Sequence, residues 1–507
     1  LKIEEMSLKQ KLGQLLVTGF PGQQMSDEFR ALVKEYALGN VILFKYNQQT
    51  EAQLKTLCAD LDDFIVQNTG IAPLISSDEE GGVVSRLPDD MVQMPSAMAQ
   101  ASLQDTGRVQ QAAAATAAQL QSVGINFDLA PVLDINNNES NPVIGVRSYG
   151  ETAEQVCRYA LAAYDGYEQA GMLTAGKHFP GHGDTVTDSH LALPVISKTV
   201  QQLQELELLP FKAAIAKGIP AITIAHILFP ALEAANVPAT MSRAIVTGLL
   251  REQLGFRGLI ISDCMEMNAI KETVGVAKGT VEAVKAGIDL IFISRTPAEV
   301  ISAVEALQQA VQSGEIPMAR IDEAVGHILA CKARYLHPQV PLATGAKAEM
   351  RAFAEQFSWD AILHSRQGEG TTFVLGQNPL FLSPLRRQTT MVANEQLADY
   401  SFAGAMQAQF GGAQQLFDLD PTQQQVQQML AAAPAHSSVV LGTVNGNIHP
   451  AQLALAEELH RAGVPLAVVA LRNPFELKLL PSGVFAFALF EYAPKTVQLA
   501  ARLFTRA

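Results

Sequence analysis

Apolar residues in the first three hundred positions of this chain come in short continuous runs, each followed by a segment with helical spacing. The runs fall at 15–19, 40–44, 73–77, 125–132, 172–175, 221–225, 258–262 and 289–294. They lack the period-two alternation of a half-exposed strand and read as strands buried on both faces, the signature of a parallel sheet. Ser7 stands before the first helical pattern as an N-cap. Eight strand–helix units over this length predict a (β/α)8 TIM-like barrel. Two further helices are expected at 298–313 and 321–335.

The pattern changes after residue 336. A segment with Pro, Gly and small residues, 337–347, reads as a linker. A helix is expected at 348–365. Strand candidates follow at 371–375, 380–382, 415–417, 439–441, 466–471 and 484–489, with helical patterns at 394–409, 421–431, 451–462 and 495–505 between most of them. The fold class is therefore α/β, with a barrel at 1–336 followed by a smaller α/β layered sandwich domain at 348–507. The glutamine-rich stretch 423–428 is too short to be a low-complexity segment and reads as a solvated helix face.

Polar residues concentrate where a barrel of this kind places its chemistry, at the C-terminal ends of strands. Asp78, Lys177, His178, His226 and Asp263 each sit at or just past the end of an apolar run. Asp263 closes Leu259-Ile260-Ile261-Ser262. A carboxylate held there can act as a nucleophile, and it can equally cap the helix that follows.

The densest cluster of ionisable groups is Lys177-His178-Phe179-Pro180-Gly181-His182-Gly183-Asp184, continuing through Asp188-Ser189-His190. A loop so rich in titratable groups, set directly after a buried strand, is a place for chemistry. Asp188 and His190 are two apart, so the carboxylate can reach one ring nitrogen, fix the tautomer and free the other nitrogen for proton transfer. Spacing alone leaves three readings open: a proton-transfer loop, a metal site with Asp184 or Asp188 as a further ligand, and structural histidines. Against metal or phosphate binding, there is no His-x-His pair, no His-x-x-x-His with Glu, and no Gly-Lys-Ser/Thr to complete a P-loop.

The segment 177–183 together with Asp188-Ser189-His190 resembles the signature of the β-N-acetylglucosaminidase branch of glycoside hydrolase family 3. The resemblance implies a two-domain bacterial exo-β-N-acetylglucosaminidase with a retaining mechanism. In it Asp263, in the Ser-Asp-x-x-x-Met segment, would be the nucleophile, and His190, oriented by Asp188, the acid/base. It also implies sugar binding by Asp78 and Arg86 in Asp-Glu-Glu-Gly-Gly-Val-Val-Ser-Arg, by Arg147 in Asn-Pro-Val-Ile-Gly-Val-Arg-Ser-Tyr-Gly, and by Lys177 and His178. Two positions depart from the family pattern: Val83 stands where Arg is common, and Cys264 where a second Asp is common. Arg147 has a structural alternative as the partner of Asp128 or Asp134, which read as structural themselves. Gly181 and Gly183 are expected as hinges of a loop closing over the sugar. No metal and no cofactor are implied. The expected substrates are GlcNAc-terminated cell-wall muropeptides or related glycans. Phosphorolysis, a β-glucosidase, a metal-dependent barrel hydrolase and a catalytically dead glycan-binding module stand as alternatives. The resemblance continues more loosely into the second domain, at Leu441-Gly442-Thr443 and Ala470-Leu471-Arg472-Asn473-Pro474, and implies no catalytic residue there.

Composition narrows the partners. A length of 507 residues with 48% hydrophobic content calls for more than one core. A net charge of −14 without a basic run argues against nucleic acid, and no apolar run reaches the length of a membrane span. Cys58, Cys157, Cys264 and Cys331 are far apart and make neither a disulfide framework nor a Cys-x-x-Cys pair. Because the chain starts at Leu1, two compartments are expected: the bacterial envelope or exterior if a leader was removed, and the cytoplasm otherwise. Oligomeric state is not encoded in any pattern.

Overall fold

The computed structural model describes residues 2–186, 193–337, 340–385 and 400–506. Eight parallel strands close into a barrel in sequence order: β1 (Leu16–Thr18), β2 (Asn40–Leu43), β3 (Leu74–Ser77), β4 (Phe127–Asp128), β5 (Leu173–Phe179), β6 (Ala221–Ile224), β7 (Leu259–Cys264) and β8 (Leu290–Phe292). β1 pairs with both β2 and β8, which completes the ring. Local chemistry explains many of the helices outside it. Ser7, Ser26, Thr50, Asp105 and Thr152 each accept a backbone N–H three residues on, which satisfies a donor the first helical turn leaves open. Gly70, Gly124, Gly218 and Gly287 end helices in the left-handed region.

Two strands differ from the sequence reading. β4 is shorter than the apolar run at 125–132, because Pro131 has no N–H to give. Its neighbours carry the pairing on individually: the Leu129 N–H bonds the Ser77 carbonyl, and the Leu133 N–H bonds that of Lys177. β5 is longer than expected and runs through Lys177 and His178 to Phe179, with a register shift against β6 between Gly176 and Phe179. Lys177 and His178 therefore stand on a strand, where the sequence placed them in the loop after it. The peptide bonds Lys177–His178, Phe179–Pro180 and Ala130–Pro131 are cis.

Beyond the barrel, helices Pro297–Gln312 and Met318–Tyr335 pack on its outside, and helix Ala346–Ser365 leads into the second sheet. Short strand β9 is Phe373–Val374. The strands that follow are β10 (Pro379–Pro384), β11 (Ala413–Phe417), β12 (Ser438–Thr443), β13 (Leu466–Ala470) and β14 (Phe485–Ala488), and β15 (Phe504–Thr505) ends the series. β11-β10-β12-β13-β14 form a parallel sheet, and β9 pairs apart from it with β15. So the expected strand at 371–375 does not join the main sheet, and the expected helix at 495–505 stops at Ala500 before turning into β15. Of the helix expected at 394–409, Phe402–Phe410 is observed, and 394–399 lie outside the described residues.

Alternate residues of the second sheet face opposite sides. Phe381, Val440, Val469 and Phe487 enter one apolar cluster. Leu380, Leu382, Val439, Leu441 and Val468 enter the other, and that second cluster also contains Val83, Val84, Met98, Ala99 and Val146 from the barrel's loops. The sheet's core is thus continuous with the segments carrying Arg86 and Arg147. Polar contacts reinforce the seam. Asn447 Nδ2 donates to the Glu139 carbonyl at 2.7 Å, and Lys478 pairs with the Glu139 carboxylate. Gly145, at φ +47°, leaves its α-carbon so close to Asn473 that a β-carbon there would lie 2.9 Å from Asn473 Oδ1.

Candidate active site

A cavity of about 400 Å³ opens at the C-terminal ends of the barrel strands. It gathers Asp78, Arg86, Arg147, Lys177, His178 and Asp263, so six of the eight site residues singled out in the sequence line one space. The remaining two, Asp188 and His190, lie outside the described residues.

Three consecutive carboxylates after β3 take three different tasks. Asp78 reaches into the cavity and accepts from Lys177 Nζ at 2.9 Å, with the Arg86 guanidinium 3.8 Å from its other oxygen. Glu79 points into the protein, where it accepts from Ser85 Oγ at 2.9 Å and from the backbone N–H of Arg86 at 2.7 Å and Leu87 at 3.2 Å. It thereby shapes the turn that delivers Arg86, and burial pushes its carboxyl up to about 7. Glu80 is the third. It accepts two bonds from Arg147, both at 2.8 Å, in the fork geometry of a guanidinium–carboxylate pair. Its Oε1 also lies 2.6 Å from Lys177 Nζ. Burial acts to raise the Glu80 carboxyl, but Arg147 and Lys177 outweigh it and hold it well below the usual carboxylate range. The same carboxylates keep Lys177 above its ordinary value against the effect of burial.

Arg147 therefore pairs with Glu80, and neither Asp128 nor Asp134 is its partner. Asp134 serves the histidines. Its Oδ2 is 2.6 Å from His178 Nδ1, and its Oδ1 accepts the backbone N–H of His178 at 3.1 Å and of His182 at 2.7 Å. This carboxylate aims the other nitrogen of His178, since a fixed partner on Nδ1 sets the tautomer and ring direction. Asp128 Oδ1 accepts the Glu79 N–H at 3.0 Å, and burial drives its carboxyl well upward. His182 packs its ring edge-on to His178 at 5.6 Å. Burial and the His178 charge push it down to about 4, which keeps it neutral at ordinary pH.

Asp263 lies near the end of β7 and is half-buried. Its Oδ1 accepts the Cys264 N–H at 2.8 Å. The next helix, Asn268–Lys271, begins after Met267, so Asp263 does not cap it. His226 is buried behind this strand end. It contacts Thr240 Oγ1 at 2.6 Å and the Cys264 carbonyl at 2.9 Å, which braces the residue next to Asp263. Cys264 Sγ accepts from Ser294 Oγ at 3.1 Å on β8's side.

The glycines of the 177–183 segment have packing roles. A β-carbon on Gly183 would fall 1.5 Å from the Ile135 carbonyl oxygen, and Gly181, at φ +137°, has no room beside Glu207. Close backbone approach accounts for Gly183, and the positive φ beside the Glu207 side chain for Gly181. Sequence reasoning missed Glu80 and the service role of Asp134. Glu80 differs from its neighbour Glu79 only in where its side chain points, and nothing in the local pattern carries that. Among the described residues no cluster of His, Cys, Asp and Glu could hold a metal ion, and no helix is long and apolar enough to cross a membrane.

Comparison with known proteins bears on this geometry. Residues 7–331 match the family described as Glycosyl hydrolase family 3 N terminal domain. A beta-hexosaminidase of Methylococcus capsulatus is 35% identical over 297 residues, which cover 58% of this chain and 86% of that protein. Beta-hexosaminidase A of Pseudoalteromonas piscicida is 37% identical over 284 residues, 52% of this chain, and the match spans only 47% of that longer protein. Among solved structures, a glycoside hydrolase family 3 beta-N-acetylglucosaminidase from Paenibacillus sp. str. FPU-7 superimposes with a TM-score of 0.88 at 38% identity, covering 98% of this chain and 96% of that one. That match takes in both sheets as well as the barrel. With a family match running over more than half of the chain, and a cavity rich in charged side chains placed where a barrel of this kind carries its chemistry, the protein belongs to glycosyl hydrolase family 3.

Proposed function

We propose that this protein is a retaining exo-β-N-acetylglucosaminidase that removes a terminal β-GlcNAc residue from cell-wall muropeptides or related glycans. The observation that carries the reading is one cavity lined by the half-buried carboxylates of Asp263 and Asp78 together with the buried side chains of Arg86, Arg147, Lys177 and His178. The names of the relatives support it. Such a floor suits a polar ring with several hydroxyls, because Arg147 and Lys177 are held by the buried Glu80 carboxylate and His178 by that of Asp134.

In the proposed mechanism Asp263 attacks the anomeric carbon while His190, held by Asp188, gives a proton to the departing oxygen. The bond from carbon to Asp263 forms as the glycosidic C–O bond breaks. His190, now neutral, then takes a proton from water as that water displaces Asp263. Asp78, Arg86, Arg147, Lys177 and His178 bind the sugar. The domain division at 337–347 belongs to the same reading, with chemistry in the barrel and the second domain holding its loops.

The test is selectivity between aryl β-GlcNAc and aryl β-glucoside substrates. A site with buried polar groups placed for a substrate rejects an analogue that leaves them unpaired. We expect kcat/KM at least about a hundredfold higher for the GlcNAc substrate, roughly 2.7 kcal/mol of transition-state preference. A thiazoline inhibitor should bind weakly, since Asp263 and not the acetamido group is the nucleophile. Added phosphate should not divert the product to a sugar phosphate. Equal rates on both sugars, or tight thiazoline inhibition, would overturn the reading.

A further inference from the structure

The cavity has a closed end and an open one. Lys177, Arg147, Arg86 and His178 at its floor are buried, whereas Asn268, Lys271 and Arg295 at its rim are exposed. A sugar gripped by the floor, with its anomeric carbon at Asp263, sends its leaving group out across that rim.

An aromatic stack stands there. Phe44, just after β2, lines the cavity. The Tyr46 ring lies on it with centroids 5.5 Å apart and planes 22° from parallel, and the Arg295 guanidinium sits over Phe44 at 5.2 Å. Tyr46 remains 38% exposed. Burial raises its phenol, and the charges of Arg295, Glu266 and Arg86 also reach it; all three of those residues line the cavity. The turn that presents the stack is fixed from several sides. Asn47 Oδ1 accepts the Phe44 N–H at 2.9 Å, and Asn47 Nδ2 donates to the carbonyls of Phe20 and Gly22 at 2.9 and 2.6 Å. Lys45 Nζ reaches the Leu87 carbonyl at 2.5 Å, which ties the turn to the segment that carries Arg86.

We propose that Tyr46, backed by Phe44 and flanked by Arg295, is the subsite for the leaving group and takes a pyranose ring; this rests on the reading of the floor as the pocket for the terminal sugar. A rigid, amphipathic ring with its body partly exposed and its tip polar binds a partner with an apolar face and a polar rim, which describes a pyranose. Because the turn is already pinned, little ordering is needed when the ring is occupied. Glu266 and Arg295, joined through the Arg295 N–H at 2.6 Å from Glu266 Oε2, offer an acceptor and a donor to hydroxyls at its edge.

The experiment compares kcat/KM for a β-1,4-linked GlcNAc disaccharide with that for methyl β-GlcNAc, in the wild type and in Tyr46→Ala and Tyr46→Phe. The ratio of disaccharide to methyl glycoside should fall about tenfold in Tyr46→Ala, equivalent to about 1.4 kcal/mol, and stay within about twofold of wild type in Tyr46→Phe, which keeps the ring face. Thermal unfolding of both variants checks that the fold is intact. A ratio unchanged in Tyr46→Ala, or one that falls equally in Tyr46→Phe, would overturn the stacking subsite. A wild type that cleaves neither glycoside would overturn the underlying assignment of the cavity, and the subsite with it.

Discussion

Glu80→Gln is the substitution that most directly tests how the floor of the cavity is held. Its carboxylate is buried, takes a two-bond fork from Arg147 and lies 2.6 Å from Lys177. Glutamine keeps the shape but removes the charge, leaving two buried cations with Asp78 alone to answer them. Breaking a buried ion pair by neutralising one partner costs about 3–5 kcal/mol, because the other charge stays desolvated. Here one anion serves two cations, so the upper half of that range is expected. At roughly 2 °C per kcal/mol for a large domain, the midpoint of thermal unfolding at pH 7 should drop by about 8–10 °C. The sign of the pH dependence follows from the depressed Glu80 carboxyl. In the unfolded chain it protonates near its ordinary value of about 4.3, and in the folded protein only below that. Its contribution is therefore complete at neutral pH and is lost as pH falls through the acid range toward the folded value. The stability gap between wild type and variant should be full at pH 7 and narrow below about pH 4. Urea midpoints measured across that range decide the matter. Equal stability at pH 7, or a gap that widens in acid, would refute the argument that Glu80 compensates Arg147 and Lys177.

Three other outcomes are expected. Asp263→Asn should lose several orders of magnitude in turnover on any β-GlcNAc substrate with little loss in thermal stability, since a half-buried strand-end group leaves no core cavity when changed; near-normal turnover would remove it as nucleophile. His190→Ala should impair disaccharide cleavage far more than cleavage of an aryl glycoside with an acidic phenol, because the phenol departs with little protonation, and equal losses would point to a structural role. Gly145→Ala forces a side chain into the left-handed region and against Asn473, so it should cost about 1–3 kcal/mol and raise KM through the adjacent turn, Gly145–Arg147; an unchanged KM in a destabilised variant would mean that the second domain does not govern Arg147.

Much of this architecture was legible in the linear pattern, for reasons that are local. A strand buried on both faces must be apolar throughout, so the eight runs announced a parallel barrel, and the barrel's geometry placed Asp78, Lys177 and Asp263 at one rim. N-capping by Ser7 depends on residues within one helical turn and was visible for that reason. The failures were of a different kind. The strand at 172–175 was cut short because the reading took charged residues as the end of a strand, whereas Lys177 and His178 continue it with their charges answered by Glu80 and Asp134 from other strands' loops. The strand expected at 371–375 pairs with β15 and not with the main sheet, which a short apolar run cannot announce because it does not name its partner.

What the sequence determined by itself is the succession of elements and the inventory of reactive groups, because both depend on residues a few positions apart. Which carboxylate answers which cation was decided only by the tertiary structure. Asp78, Glu79 and Glu80 are chemically near-equivalent neighbours, and their separate tasks arise from the direction each side chain takes at the strand end and from partners 67 and 99 positions away. The joining of the second domain's apolar face to Val83, Val84 and Val146 is likewise a property of packing: burial of apolar surface is non-directional, so no local sequence signal specifies which surfaces it brings together.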